Sequence, residues 1–174
     1  MDTLDIKALE ALQSSGRESW AGLGEMLGMT GPAAAERVRR LEERGIIRRY
    51  TAVVDPQAVG VGLAAFVAVS LDRPRDRAAL LTRVKALPEV QECHHVAGED
   101  DFLLKIRCRD TADLERLLTD ELKSIGGVVR TRTTVVLRTL KETTAVPVSG
   151  DRPLRPPDAG RSPAARGRPR HRQT

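Results

Sequence analysis

The sequence predicts an α+β protein in two parts, and three observations carry that prediction. Residues 2–45 place apolar side chains at helical spacing between short capped turns, and from residue 61 the period shortens to the alternation of strands. The later segments then follow in the order β-α-β-β-α-β. The first part reads as a trihelical, winged-helix-like unit containing a helix-turn-helix. The second reads as a ferredoxin-like sheet with both helices on one face.

In the first helix Leu4, Ala8, Leu9 and Leu12 share a face behind a cap at Asp2 or Thr3, and the pattern ends near Ser15 and Gly16. Ser19 caps a short second helix whose Leu23, Met26 and Leu27 are expected to point inward, and Gly28 with Met29 makes the turn. Thr30 caps the third helix, Ala34, Val38 and Leu41 form its buried stripe, and Gly45 ends it. Arg37, Arg40 and Arg44 fall on another face, because residues three and four apart lie together on a helix. An arginine-lined helix after a tight glycine turn fits the element that enters the DNA major groove.

After this unit (residues 1–50) the β-rich run IIRRYTAVVD leads to Pro56, and residues 51–60 are expected to be a linker strand. Residues 61–142 form the second domain. GLAAFVAVSLD is apolar on both faces, so its strand needs cover on both sides. Residues 75–87 read as a helix with Leu80, Leu81, Val84 and Leu87 on one face, stopped by Pro88. Residues 90–97 and 102–109 read as strands around the loop GEDD, the second with Phe102, Leu104, Ile106 and Cys108 facing one way and Lys105 and Arg107 the other. Thr111 is expected to cap a helix carrying Leu114, Leu117, Leu118 and Leu122, which Gly126 and Gly127 end, and residues 128–140 give the last strand. With both helices on one face, the other face of the sheet is expected to pair with a second copy of the chain.

Residues 143–174 lose periodicity, become rich in Pro, Arg and Gly, and are expected to be disordered. Within them, Arg166-Gly167-Arg168-Pro169-Arg170 is similar to the core of an AT-hook, in which Arg166 and Arg168 would enter a narrow minor groove. This tail also explains the charge. The formal +5 of the chain resides entirely in residues 151–174, where seven arginines face only Asp151 and Asp158. The other 150 residues balance 22 basic groups against 22 acidic ones, so DNA affinity in the folded part must come from arrangement. The one basic cluster there is residues 30–50, with six arginines against Glu36, Glu42 and Glu43.

Aromatic residues make up 2% of the chain, so the core must be built from Leu, Val, Ile and Ala. Cys93 and Cys108 form no spaced framework, the start shows no signal-peptide pattern, and the longest apolar run has 13 residues, short of the roughly 20 that span a bilayer. These features predict a cytoplasmic protein that does not engage a membrane, and the DNA-binding reading makes it nucleoid-associated.

The segments ESWAGLGEMLGMTGPAAAERVRRLEERGIIRRYTAVVDP, VQECHHVAGEDDFLLKIR and GVVRTRTTVVL, in that order, closely resemble the leucine-responsive and asparagine-responsive (Lrp/AsnC) transcriptional regulators over about residues 2–142. The resemblance implies an N-terminal DNA-binding domain and a ferredoxin-like domain that binds an amino-acid effector. It further implies dimers that assemble into higher oligomers, and no cofactor. The chain departs from the family pattern in TGPAAAE, where Pro32 and three alanines offer bases only apolar contact, and at Phe102, where the family often has Tyr.

On these grounds the expected DNA contacts are Arg17, Ser19, Thr30, Glu36, Arg37, Arg40, Arg44 and Arg48, with Arg166 and Arg168 in the tail. The expected effector site combines Gly98 and Asp101, where backbone can approach a ligand and a carboxylate can meet an α-ammonium group, with Val129, Thr131 and Thr133. Cys93, His94 and His95 alternate along a strand, which separates His94 from the other two and makes a packing role the expectation rather than a metal site. The sequence contains no grouping of acid, base and nucleophile, so an enzyme is not expected. Two other readings are an architectural DNA-binding protein of low sequence preference, and a metabolic or small-molecule-binding domain with an accessory trihelical unit.

Overall fold

Asp2 opens the first helix, α1 (Thr3–Ser14), through a reciprocal cap: its carboxylate accepts from the Asp5 amide at 2.8 Å while the Asp5 side chain accepts from the Asp2 amide at 3.1 Å. Of the two caps the sequence offers, it is thus Asp2 that acts. The computed structural model describes residues 1–148, so Arg166, Arg168 and the AT-hook-like segment lie outside the described residues. Two further helices, α2 (Trp20–Leu27) and α3 (Gly31–Glu43), complete the first unit. Its core is Ala8, Leu23, Leu27, Ala34 and Val38, with Leu4, Leu12, Met29 and Ile47 packed around them.

Met26 does not join that core and is 53% exposed. The inward face of α2 is Leu23, Gly24 and Leu27, and Gly24 is there because backbone passes directly over it. A Cβ on Gly24 would lie 2.8 Å from the Met29 carbonyl oxygen and 2.9 Å from the Gly31 nitrogen, clashes that flexible side chains cannot relieve. Gly24→Ala is therefore expected to destabilise the helical unit by about 1–3 kcal/mol. A urea titration of the variant would show this as a lower midpoint; an unchanged midpoint would mean the turn moves aside freely.

After α3 the chain runs in extended coil to a turn at residues 56–60, closed by the Val61 amide on the Pro56 carbonyl at 2.8 Å. The linker strand expected at residues 51–60 is not formed. β-branched residues favour an extended backbone, but a strand also needs a sheet edge, and Val53 and Val54 stay exposed.

The second unit, residues 52–142, holds four antiparallel strands: β1 (Leu63–Leu71), β2 (Val90–His95), β3 (Phe102–Cys108) and β4 (Val128–Val135), in spatial order β2-β3-β1-β4. The connections are α4 (Arg77–Ala86), preceded by a short 3-10 turn (Pro74–Asp76), and α5 (Thr111–Arg116), which widens into a π turn (Leu117–Leu122). Ala65, Val67 and Val69 of β1 and Phe102, Leu104, Ile106 and Cys108 of β3 bury one sheet face against Leu80, Val84, Leu114, Leu117 and Leu122. This is the β-α-β-β-α-β architecture the alternating pattern predicts.

Two local expectations are corrected. Asp110, one residue before Thr111, caps α5 by accepting from the Asp113 amide at 2.8 Å, since a carboxylate there also favours the positive end of the helix. The last strand stops at Val135 rather than continuing to residue 140. Beyond the Val136 amide, which donates to the Ala64 carbonyl at 2.9 Å, the neighbouring strand has ended, and Leu137 is 99% exposed. On the open face of the sheet, Ala64 and Ala68 are buried and Phe66 is partly exposed.

Candidate functional site

The helix-turn-helix is set by its ends. Gly28 closes α2 in the left-handed region at φ 69°, the Met29 amide donates to the Gly24 carbonyl at 2.9 Å, and the chain reverses within three residues. The hydroxyl oxygens of Ser19 and Thr30 accept from the Gly22 and Ala33 amides at 3.0 and 3.4 Å, so both act as helix caps. Each cap leaves its helix N-terminus in order, which is where backbone amides can meet phosphate.

Along α3 the arginines divide into two groups. Arg40 has a 69% exposed side chain, and Arg44 at the helix end, Arg48 beyond it and Arg17 before α2 are all exposed. Arg37 is different, with 25% exposure and a guanidinium that donates to Asp2 at 2.7 and 2.8 Å and to Asp5 at 2.5 Å. Its position next to Val38, at the border of the buried stripe, turns it toward the start of α1. The Arg37 guanidinium lowers the Asp2 carboxyl below its ordinary value, and the Asp5 amide adds to this.

Glu36 holds Arg39 at 2.8 Å and Arg40 at 3.0 Å, and these two arginines, Arg39 first, bring its carboxyl down to about 2. Glu36 is therefore ionised throughout the neutral range, and Arg39 and Arg40 can reach a phosphate only by exchanging a partner. Arg39, which also pairs with Glu43, does not stand out in the sequence because it lies off the 37-40-44 stripe. Tyr50 donates to Glu42 at 2.8 Å; burial, then this carboxylate, pushes its phenol up to about 12.

In the second unit the loop before β3 is stitched to the end of β1. The Asp101 amide donates to the Val69 carbonyl at 3.0 Å, and the Asp101 carboxylate accepts from the Leu71 amide at 2.7 Å. On the other side of β1, Thr131 is the register partner of Val69 and Thr133 of Val67, so Asp101 and Thr131 converge on one residue of the central strand. Val129 lies exposed beside the β-bulge at Ser70/Leu71, and the space above Gly98 is open for 4 Å.

Asp100 does not stand out in the sequence, yet it is the buried centre of this loop. It accepts from Ser70 Oγ at 2.9 Å, Arg130 at 3.1 Å and Arg132 at 2.6 Å, and the Ser70 bond, then the two guanidinium groups, hold its carboxyl below the usual range. The signal available is the alternation Arg130-Thr131-Arg132-Thr133, which puts both arginines on the face opposite the threonines, across from an acidic loop. The two imidazoles do not converge. His94 meets Glu92 at 3.0 Å, while His95 lies against the Phe102 ring, centroids 5.2 Å apart, with Arg77 at 3.1 Å.

Comparison with known proteins agrees with both halves. An AsnC-type helix-turn-helix domain matches residues 1–42 and an Lrp/AsnC ligand binding domain matches residues 64–146. The chain is 38% identical over 145 residues to a proline dehydrogenase transcriptional activator of Rhizobium radiobacter, covering 82% of this chain and 93% of that protein. It is 39% identical over 144 residues to the leucine-responsive regulatory protein of Escherichia coli K12, covering 82% and 88%. Among solved structures, a transcriptional regulator of Neisseria meningitidis in complex with L-Met aligns with TM-score 0.82 at 34% identity, over 84% of this chain and 96% of that one. A feast or famine regulatory protein of M. tuberculosis complexed with L-methionine aligns with TM-score 0.77 at 34% identity, over 83% and 97%. With a capped helix-turn-helix in one unit, a βαββαβ sheet in the other and relatives matched over nearly their whole length, the chain belongs to the Lrp/AsnC family of transcriptional regulators.

Proposed function

We propose that this regulator binds double-stranded DNA through α3 of paired protomers and changes its assembly on binding an amino acid. The observation that carries the reading is the exposed stripe of Arg40 and Arg44, continued by Arg48, on the second helix of a capped helix-turn-helix. Arg17, at the entrance to α2, reaches the same class of phosphate contact. Ser19 and Thr30 order the helix N-termini that face the backbone, and Glu36 sets which arginines are free to exchange. Arg37 supports α3 from behind instead of touching phosphate, and Arg166 and Arg168 add attraction from the tail. Pairing through the open sheet face would present two recognition helices to half-sites about 34 Å apart or a multiple of that.

The effector site is built from Gly98, Asp101, Val129, Thr131 and Thr133. The amino-acid class is supported by the two related structures solved with L-methionine. A ligand that binds the folded chain alone raises its melting temperature with concentration, so a thermal-shift series over the common amino acids tests the reading directly. Wild type is expected to respond to at least one of them, and Asp101→Asn to lose that response while still folding. A variant that shifts like wild type would remove Asp101 from the site, and a wild type that responds to none would remove the effector class.

A further inference from the structure

The start of α3 carries an apolar surface in line with its arginines. Ala33 lies seven residues before Arg40 and eleven before Arg44, and on a helix both intervals return to the same face within about 20°. At the helical rise it stands about 10 Å along the axis from Arg40, at the end of the helix whose side chains meet base edges in a helix-turn-helix. Ala33 and its neighbour Pro32 are exposed, and Trp20, the first residue of α2, is 47% exposed. The two helix starts abut, since a Cβ on Gly31 would lie 3.3 Å from the Trp20 carbonyl carbon and oxygen. No charged residue occurs in Ser19–Ala21 or Thr30–Ala35, so the exposed apolar atoms here are not diluted by ionic groups. The acid on the stripe, Glu36, is engaged through both oxygens by Arg39 and Arg40 and is not directed at a cytosine amino group.

We propose that α3 recognises thymine by its C5-methyl group, through Pro32 and Ala33 with Trp20 beside them. The proposal rests on the reading of α3 as the helix that enters the major groove, where the thymine methyl is the apolar group that base pairs present. Covering that methyl with Ala33 costs no hydrogen bond. Covering a cytosine amino group in the same place would remove its water and supply no acceptor. Proline and alanine also lose no rotamer freedom when they are covered, so a small contact is not cancelled by ordering them. The arginines then fix how the helix lies on the duplex, and the apolar start of the same stripe sets which base it tolerates there.

The test is fluorescence anisotropy of the full chain, at fixed salt, on an alternating dA-dT duplex and on the same duplex with deoxyuridine for thymidine, which removes the C5-methyl alone. Wild type is expected to prefer the thymine duplex by about fourfold for each methyl it covers. It is also expected to bind a mixed-sequence duplex more tightly once its cytosines carry a C5-methyl. Ala33→Gln places an amide where the methyl would pack, at a helical position that suits the Thr30 cap, so the variant should fold. It is expected to bind the thymine and uracil duplexes almost equally while keeping the wild-type salt slope. Equal wild-type affinities for the two duplexes would overturn methyl recognition and leave DNA binding through α3 standing. A thymine preference undiminished in Ala33→Gln would assign it to duplex shape and overturn the proposal, and no binding to any duplex would overturn it together with the reading on which it rests.

Discussion

An Arg40→Ala, Arg44→Ala double variant is expected to bind DNA roughly a hundredfold more weakly than wild type at moderate salt, on any duplex, and with a shallower salt dependence. Each arginine is exposed on α3, and a charge-assisted hydrogen bond to phosphate contributes about 1.5–3 kcal/mol. Removing one arginine from a phosphate lowers the slope of log K against log salt by about 0.9. The effect should be nearly uniform across sequences, because phosphate contacts position a protein without reading bases. The start of α3 supports this, since Pro32 and Ala33, both exposed, present no hydrogen-bonding side chain to a base edge. Fluorescence anisotropy on two unrelated duplexes would measure both quantities, and a variant that loses affinity for one duplex alone would assign these arginines to base recognition.

Arg37→Ala is expected to act on the fold. Removing it leaves Asp2 and Asp5 facing each other at the mouth of α1 without the cation between them, and a loss of about 1–3 kcal/mol in the stability of the helical unit follows. The pH dependence carries the same signature. Asp2 has a folded-state pKa depressed below its ordinary 3.8, so its contribution is complete above that value and is lost as pH falls through the lower, folded value. Wild type should therefore lose stability on acidification below about pH 4 more steeply than Arg37→Ala, whose Asp2 titrates closer to its ordinary value. Denaturant midpoints measured between pH 3 and pH 7 would show the two curves converging in acid; parallel curves would leave Arg37 without this task.

What can be read from the sequence is whatever depends on neighbours along the chain. The stripe Ala34, Val38 and Leu41 and the alternation Phe102, Leu104, Ile106 and Cys108 are buried as their spacing requires, because period alone decides which side of a helix or strand faces the core. Caps at Ser19 and Thr30 are legible for the same reason, their partners being three residues away. The features that escape are contacts through space. Arg37 meets Asp2 from 35 residues away, Asp100 meets Arg132 from 32, and Arg107 meets Glu142 from 35. Met26 departs from its expected place for a related reason, since helical spacing admits it to the inward face while the backbone crossing at Gly24 turns that face elsewhere. Charge patterning locates the arginines of α3 but holds no information about which of them an acidic partner has already engaged.

Arg40 and Arg44 are expected to hold DNA while Arg37 holds α3 in place. Salt titration of affinity for one mixed-sequence duplex, comparing wild type with Arg37→Ala and Arg40→Ala at a temperature where all three are folded, tests it most directly. Arg37→Ala is expected to keep the wild-type slope of log K against log salt and Arg40→Ala to reduce it by about 0.9. A reduced slope in Arg37→Ala together with an unchanged slope in Arg40→Ala would contradict it.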